Sequence, residues 1–264
     1  MSNAFIDWLS FTIPKPMQHR TQYHVVFRRW LEDCPVKLQT IFGHGAWKQG
    51  KGRSPYALSW ELNGCTVFDG PTSDHMLVEL SGRGCDLAGN DIYDVLRQVR
   101  ARITRIDIAV DFTGLETPEQ LLAQVQDGRM KSRSMIKSHT GETAYIGSRK
   151  SSQIVRIYRY NPPHPRANLT RVEYMGRKQW AKAIAQKVID DGIDSVYASI
   201  CERFKLPQTV RLDHTSASSL RLEYGKKSES KTLMWLIGTC VPALHRLSEN
   251  GTIDLDDFIQ TYLR

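Results

Sequence analysis

The chain predicts an α+β fold, a largely antiparallel curved sheet with flanking helices and a mainly helical C-terminal part. Three features carry that expectation. Short apolar-alternating runs recur through residues 1–176 with helical stretches between clusters of them. Asn63-Gly64 joins two such runs as a hairpin signal, and from about residue 177 onward the period is mainly helical. With 264 residues and 41 % hydrophobic content the chain can fill a sizeable core, which excludes disordered, collagen-like and disulfide-stapled classes.

Taken in order, "FIDWLSFTI" (5–13) reads as a strand and "RTQYHVVFRRWLEDC" (20–34) as a helix with Phe27, Trp30 and Leu31 on one stripe. The Gly- and Lys/Arg-rich segment 43–55 reads as a mobile loop. Residues 56–68 form the hairpin, and "HMLVEL" (75–80) continues the sheet. After Asn90 as N-cap, Asp91 and Asp94 lie in the first turn of a helix that leads into the strand "TRIDIAVDF" (104–112). Thr117, Pro118 and Gln120 spell a capping box, with Gly128 as the stop. Strands follow at 143–148, 154–160 and 170–176. A buried helix over 231–247, bent near Pro242, and a helix capped by Thr252 complete the reading. The expected division is a sheet region over 1–176, with a loose recurrence of strand, helix and paired strands in its two halves, and a helical region over 177–264 packed on it.

Five scattered cysteines without C-x-x-C spacing point to reduced thiols rather than a zinc ribbon or a disulfide framework. No window is apolar enough for a membrane span, and the first residues lack a signal-peptide pattern, so a soluble, cytoplasmic protein is expected. The net charge of +8 is concentrated. Residues 145–182 hold nine Lys/Arg against one acid, Glu173, while the rest of the chain balances at 27 of each sign. A polyanion held against one surface fits that distribution, and so does a solvated basic face.

Side chains alternate along a strand, so each run can be sorted into faces. Ile106, Ile108, Val110 and Phe112 share one face of their strand; Asp107, Ala109 and Asp111 share the other. By the same count His75, Leu77 and Glu79 lie together, as do Arg171 with Glu173, and Arg156 with Tyr158 and Tyr160. Carboxylates from separate strands converging with Arg and Tyr suit a hard divalent cation, Mg²⁺ or Mn²⁺, and a phosphodiester. Cross-strand ion pairs on a half-exposed sheet would give the same pattern. Tyr158, with Arg156 beside it at the centre of the basic segment, reads as a nucleophile or as a packed structural ring.

The run "TRIDIAVDF", then "TAYIGSRKSSQIVRIYRY", then "TRVEY" resembles the replication initiation factor family of rolling-circle initiators, and "FIDWLSFTI" resembles the opening of its members. The resemblance implies metal-dependent, site-specific nicking and rejoining of single-stranded DNA through a 5′-phosphotyrosyl intermediate on Tyr158. It also implies Arg156 and Arg149 as phosphate-holding partners and Glu79, Asp107 and Glu173 as metal ligands, with Asp111 a further candidate. Candidate DNA contacts are Arg105, Arg149, Lys150, Arg159, Arg171, Arg177 and Lys178, with Arg129, Lys131, Arg133 and Lys137 a second stretch that is equally a solvated loop. Expected partners are origin DNA, a host helicase and a polymerase; homodimer formation stays open. The family pattern places Lys two residues after the tyrosine, where this chain has Tyr160. Either Arg159 or Arg156 supplies that charge, or Tyr160 is a second acceptor. No H-x-x-R and no H-x-H occurs, which removes tyrosine recombinases and the His-hydrophobe-His initiators. A DNA-binding module without nicking, or a metal nuclease using water, remains as the alternative.

Overall fold

The computed structural model describes residues 3–15, 23–70, 73–99, 102–126, 132–212, 244, 247–252 and 254. The chain divides into two compact units, Met1–Leu220 and Arg221–Arg264. In the second, the described residues include a helical turn over 247–249, closed by the Thr252 amide on the Leu247 carbonyl (2.8 Å). The expected helix at 231–247 with its bend at Pro242, the helix after Thr252, Cys240, Arg129 and Lys131 fall wholly or largely outside the described residues.

The first unit runs β1 (Phe5–Pro14), α1 (Tyr23–Asp33), α2 (Leu38–Phe42), β2 (Lys48–Lys51), β3 (Leu58–Leu62), β4 (Cys65–Asp69), β5 (His75–Leu80), α3 (Gly82–Ala88) and α4 (Asp91–Val99). It continues with β6 (Ile103–Thr113), α5 (Pro118–Gln124), β7 (Arg133–Ser138), β8 (Gly141–Ile146), β9 (Gln153–Tyr160), β10 (Leu169–Arg177), α6 (Gln179–Asp191), α7 (Ile193–Phe204) and a 3-10 turn (Gln208–Val210). All ten strands form one antiparallel sheet in the order β2-β3-β4-β5-β1-β6-β10-β9-β8-β7. The α+β, largely antiparallel expectation holds.

That order has an internal logic. Reading outward from the central β1–β6 pair, each side is one strand followed by the last, third, second and first members of a four-strand meander. β1 and β6 are equivalent, as are β5 and β10, β4 and β9, β3 and β8, and β2 and β7. Each half also carries helical segments after its first strand and a helix pair after its last. The loose recurrence in the sequence is thus a pseudo-two-fold repetition about an axis between β1 and β6.

Alternation sets the two faces. Ile106, Ile108, Val110, Val155, Ile157, Val172 and Tyr174 are at most 1 % exposed and join α6 side chains Ala181, Ile184, Ala185 and Val188 in one core. Each such aliphatic side chain contributes about 1.5–3 kcal/mol on burial. The helices pack on this face, with α6 lying on β6 and β10 and touching α4 and α7, so the opposite face is left for polar side chains.

Local signals account for most elements. Asn63 (φ 51°) and Gly64 (φ 83°) make the two-residue turn between β3 and β4, where both central residues need positive φ. The Thr117 hydroxyl accepts from the Gln120 amide (3.3 Å) and the Gln120 side chain accepts from the Thr117 amide (2.9 Å). That helix ends at Gln124 rather than continuing to Gly128. Two segments read as loops meet edge strands, β2 within 43–55 and β7 overlapping 129–137. Their sequences KQGK and RSMIKS lack the apolar alternation of a half-buried strand because an outer strand is stabilised by its ladder alone. The helices α2 and α3 were not apparent from periodicity, being five and seven residues long. Cys34, Cys65, Cys85 and Cys201 are free and buried, and burial raises their thiol pKa values, for Cys34 to about 11.

A Cβ on Gly64 would lie 2.5 Å from the Gly84 amide nitrogen, at a φ that L side chains rarely adopt. We expect Gly64→Ala to destabilise the fold by about 1–3 kcal/mol, visible as a lowered thermal midpoint, because strain and overpacking act at the same place.

Candidate active site on the polar face of the sheet

The site is built where β10 lies between β6 and β9. Register pairs Glu173 with Arg156 on β9 and with Ala109 on β6, and pairs Arg171 with Tyr158 and with Asp111. Glu173 is fully buried. A buried carboxylate must be paired and hydrogen-bonded, and Glu173 is both: the Arg156 guanidinium forms an ion pair with Oε1, and the Tyr158 hydroxyl donates to Oε2 at 3.0 Å. Burial, then the adjacent Glu173 charge, pushes the Tyr158 phenol well above its ordinary value, with Arg171 opposing. The tyrosine is therefore a neutral donor aimed at a carboxylate.

Asp107 lies beside this pair and is itself fully buried. Arg105 Nε donates to both its oxygens, at 2.9 and 3.1 Å, and the Arg105 guanidinium sits 4.6 Å from the Trp8 ring. Burial first, and the hydrogen-bonded Glu173 carboxylate as well, raise the Asp107 pKa to about 7, against the pull of Arg105.

A second cluster forms the wall. Arg171 clamps Asp111 with two bonds, Nε to Oδ1 at 2.6 Å and Nη2 to Oδ2 at 2.7 Å, and reaches Asp7 with Nη1 at 2.7 Å. Burial raises the Asp7 pKa, with Arg171 opposing. Tyr158, Tyr160, Arg166, Arg171, Asp7 and Asp111 line an open groove of about 470 Å³. The Tyr160 ring packs edge-on to Tyr158 at 5.6 Å and stacks on His164 at 3.8 Å.

The remaining sequence candidates lie elsewhere. Glu79 is on β5, separated from β6 by β1; it accepts from the Ser10 hydroxyl (3.2 Å) and pairs with Arg53. Arg159 points to the other face and donates to Thr170 Oγ1 (3.0 Å) and the Leu115 carbonyl (2.5 Å), tying β9 to the segment after β6. Arg149 and Lys150 are exposed on the β8–β9 turn, with Arg149 5.7 Å from the Tyr145 ring. Arg177 donates to the Arg149 carbonyl (3.2 Å), burial lowers its pKa, and Lys178 next to it is exposed. Lys137 is paired with Glu119 (2.5 Å). Asp7, Arg53 and Arg166 were missed in the sequence. Asp7 falls where the β1–β6 register shifts, between Ile6 and Trp8, and the two arginines lie in loops, where alternation carries no face information.

As a cation site, the donor set is incomplete. Among the described residues no group of three or more His, Cys, Asp or Glu is arranged to hold a metal ion. Of the four carboxylates singled out in the sequence, Asp107 and Glu173 come together while Glu79 and Asp111 do not join them, and each of the four is engaged by a different arginine. The two adjacent buried carboxylates Asp107 and Glu173 are hard oxygen donors of the kind a divalent cation takes.

A single antiparallel sheet with a tyrosine, four carboxylates and their guanidinium partners on its open face defines an α+β protein with an ionised site beside an open groove. A family model described as replication initiation factor matches residues 101–263, and the chain belongs to that family. The fold is also similar to the structure of the rolling circle replication initiator protein from Geobacillus stearothermophilus, at 18 % identity and a TM-score of 0.60, covering 83 % of this chain and 93 % of that one. No curated protein matches the chain in sequence. No helix among the described residues is long and apolar enough to cross a membrane.

The raised Asp107 pKa has a consequence for stability. The folded protein keeps this proton up to about pH 7, whereas the unfolded chain releases it near the ordinary 3.8. The native state therefore binds more protons in that window, and the stabilisation is fully present below pH 4 and lost as pH rises through 7. We expect the thermal midpoint of Asp107→Asn, relative to that of the parent, to rise between pH 4 and 7. A constant difference across the window would show that the shift is absent.

Proposed function

We propose that the chain initiates replication by nicking and rejoining one DNA strand through a covalent bond to Tyr158. The observation that carries this reading is the hydrogen bond to the buried Glu173 carboxylate from the hydroxyl of Tyr158, which lines a groove together with Arg83, Arg166 and Arg171. In the step envisaged, Tyr158 Oη forms a bond to phosphorus, the bond from phosphorus to the 3′-oxygen breaks, the phenolic proton passes to Glu173, and the departing 3′-oxygen takes a proton from water. The product is a 5′-phosphotyrosyl link and a 3′-hydroxyl from which a polymerase can extend. Because one phosphodiester replaces another, the reverse attack rejoins the ends without further energy input.

The chain's own groups divide the work. Arg156 holds Glu173 in place and lies 5.6 Å from the Tyr158 ring, which keeps the acceptor aimed at the phenol. Such a positioned base contributes about 10²–10⁴ in rate. Arg171 is already saturated by Asp7 and Asp111, so it orients the wall of the groove. Arg166, exposed at the groove, is placed to meet a phosphate, and a guanidinium can engage two phosphate oxygens at once. Asp107 and Glu173 are the residues that would hold a divalent cation, Mg²⁺ or Mn²⁺, whose bound charge would stabilise the scissile phosphate in the transition state. Stacked on His164, Tyr160 has no carboxylate partner corresponding to Glu173 among its described contacts, which favours Tyr158 as the nucleophile.

The test is covalent trapping on negatively supercoiled origin DNA with Mg²⁺ or Mn²⁺, quenched with detergent. A protein-linked nick that Tyr158→Phe abolishes and Tyr160→Phe retains is the expected result, with Glu173→Gln slowing its formation at least 100-fold. A nick that forms without linked protein and survives both tyrosine changes would replace this mechanism with water as nucleophile. Binding without any nick would reduce the chain to a DNA-binding module.

A further inference from the structure

The pseudo-two-fold gives every residue of the tyrosine site a counterpart in the first half. Starting from Glu173, its β9 partner is Arg156, and two residues along lie Arg171 and its partner Tyr158. Starting from Glu79 on the equivalent strand β5, its β4 partner is Thr66, and two residues along lie Leu77 and its partner Phe68. Phe68 thus occupies the position of Tyr158, on the same face of the sheet. The resemblance extends to chemistry. Glu79 is 8 % exposed and is held by a guanidinium, that of Arg53, as Glu173 is by Arg156. Arg53 also lies over the Phe68 ring at 4.6 Å, as Arg156 lies by Tyr158 at 5.6 Å.

Two differences decide what this copy can do. Phe68 has no hydroxyl, so the copy has no nucleophile at that position. Leu77 stands where Arg171 clamps two aspartates, so that clamp is missing here. What remains is a half-exposed aromatic ring, flanked by Tyr56 (centroids 6.1 Å apart) whose hydroxyl meets His75 Nε2 at 3.1 Å. Beside it on the same face lie Arg53, over the ring and paired with Glu79, and on the edge strand Lys48, opposite Glu61. Stacking faces edged by cations are the means by which proteins hold unpaired bases, and a base paired within a duplex cannot present its face to them.

We propose that the first half of the sheet is a catalytically silent copy of the tyrosine site, which holds an unpaired stretch of DNA by stacking on Phe68 while Tyr158 acts on another. The proposal rests on the reading that DNA lies across this face at Tyr158. Its consequence is that one chain grips the nicked region at two places related by the pseudo-dyad, although only one place cuts.

Binding can be read apart from cutting. In a Tyr158→Phe background, fluorescence anisotropy with a labelled single-stranded oligonucleotide is compared for Phe68, Phe68→Leu, which keeps apolar bulk without a ring, and Phe68→Tyr, which keeps the ring. Stacking predicts about tenfold weaker binding for Phe68→Leu, near-parental binding for Phe68→Tyr and no change on a duplex of the same sequence. Oligonucleotides carrying 5-iododeoxyuridine should crosslink to the peptides containing Tyr56 and Phe68. Parental binding by Phe68→Leu with crosslinks confined to the second half overturns the proposal, and a Tyr158 adduct in the same preparation then leaves the nicking reading standing. Phe68-dependent binding with no adduct from the unmodified chain does the reverse.

Discussion

The site depends on one buried charge. Glu173 sits at zero exposure in the middle of β10, and nothing in water compensates it. An unpaired carboxylate there would be strongly destabilising, so the strands on either side must deliver its partners: Arg156 and Tyr158 from β9, and the protonatable Asp107 from β6. Antiparallel register makes that delivery automatic. Once Glu173 is opposite Arg156, Tyr158 must be opposite Arg171, and Arg171 opposite Asp111. A slip of one residue would turn these side chains into the apolar core and the core residues outward, so packing of the far face locks the geometry of the near one.

The same constraint explains the pattern of arginines. The face carries Arg53 with Glu79, Arg105 with Asp107, Arg156 with Glu173 and Arg171 with Asp7 and Asp111. Of the nine basic residues in 145–182, Arg156 and Arg171 are therefore engaged by carboxylates, and Arg159 satisfies backbone oxygens on the other side of the sheet. The concentrated charge is in part internal pairing. The exposed members Arg149, Lys150, Arg166, Lys178 and Lys182 stay on the surface, and of these Arg166 lines the groove.

How far this was legible follows from where each residue sits. Alternation along a strand correctly assigned Tyr158 and Arg156 to one face, and Glu173 with Arg171 to another strand's polar face, because period-two order is local. It also placed Arg159 opposite Tyr158, although its role in tying down Leu115 and Glu116 needs the tertiary structure. Strand order is not local. Glu79 looks equivalent to Glu173 in sequence, and it is, but to its counterpart in the repeat; β1 lies between Glu79 and the site, and only the topology shows this. Asp7 was missed for a related reason, since the register shift between Ile6 and Trp8 breaks the alternation that would have revealed it. The edge strands β2 and β7 carried no apolar signal at all.

The repetition offers a physical account of why a site of this kind is asymmetric in an otherwise two-fold sheet. Burying a carboxylate and pairing it with arginine costs stability in each half, and both halves bear that cost at Glu79 and Glu173. What distinguishes them is a single oxygen. Tyr158 puts a hydroxyl against its carboxylate; Phe68, in the same register, leaves its carboxylate to Ser10 and Arg53. Arg171 against Leu77 is the second difference, and it tracks the first: the clamp that fixes two aspartates stands beside the tyrosine and is missing beside the phenylalanine. Chemistry then depends on two side chains per half, and the ladder, core and buried ion pairs supply the rest twice.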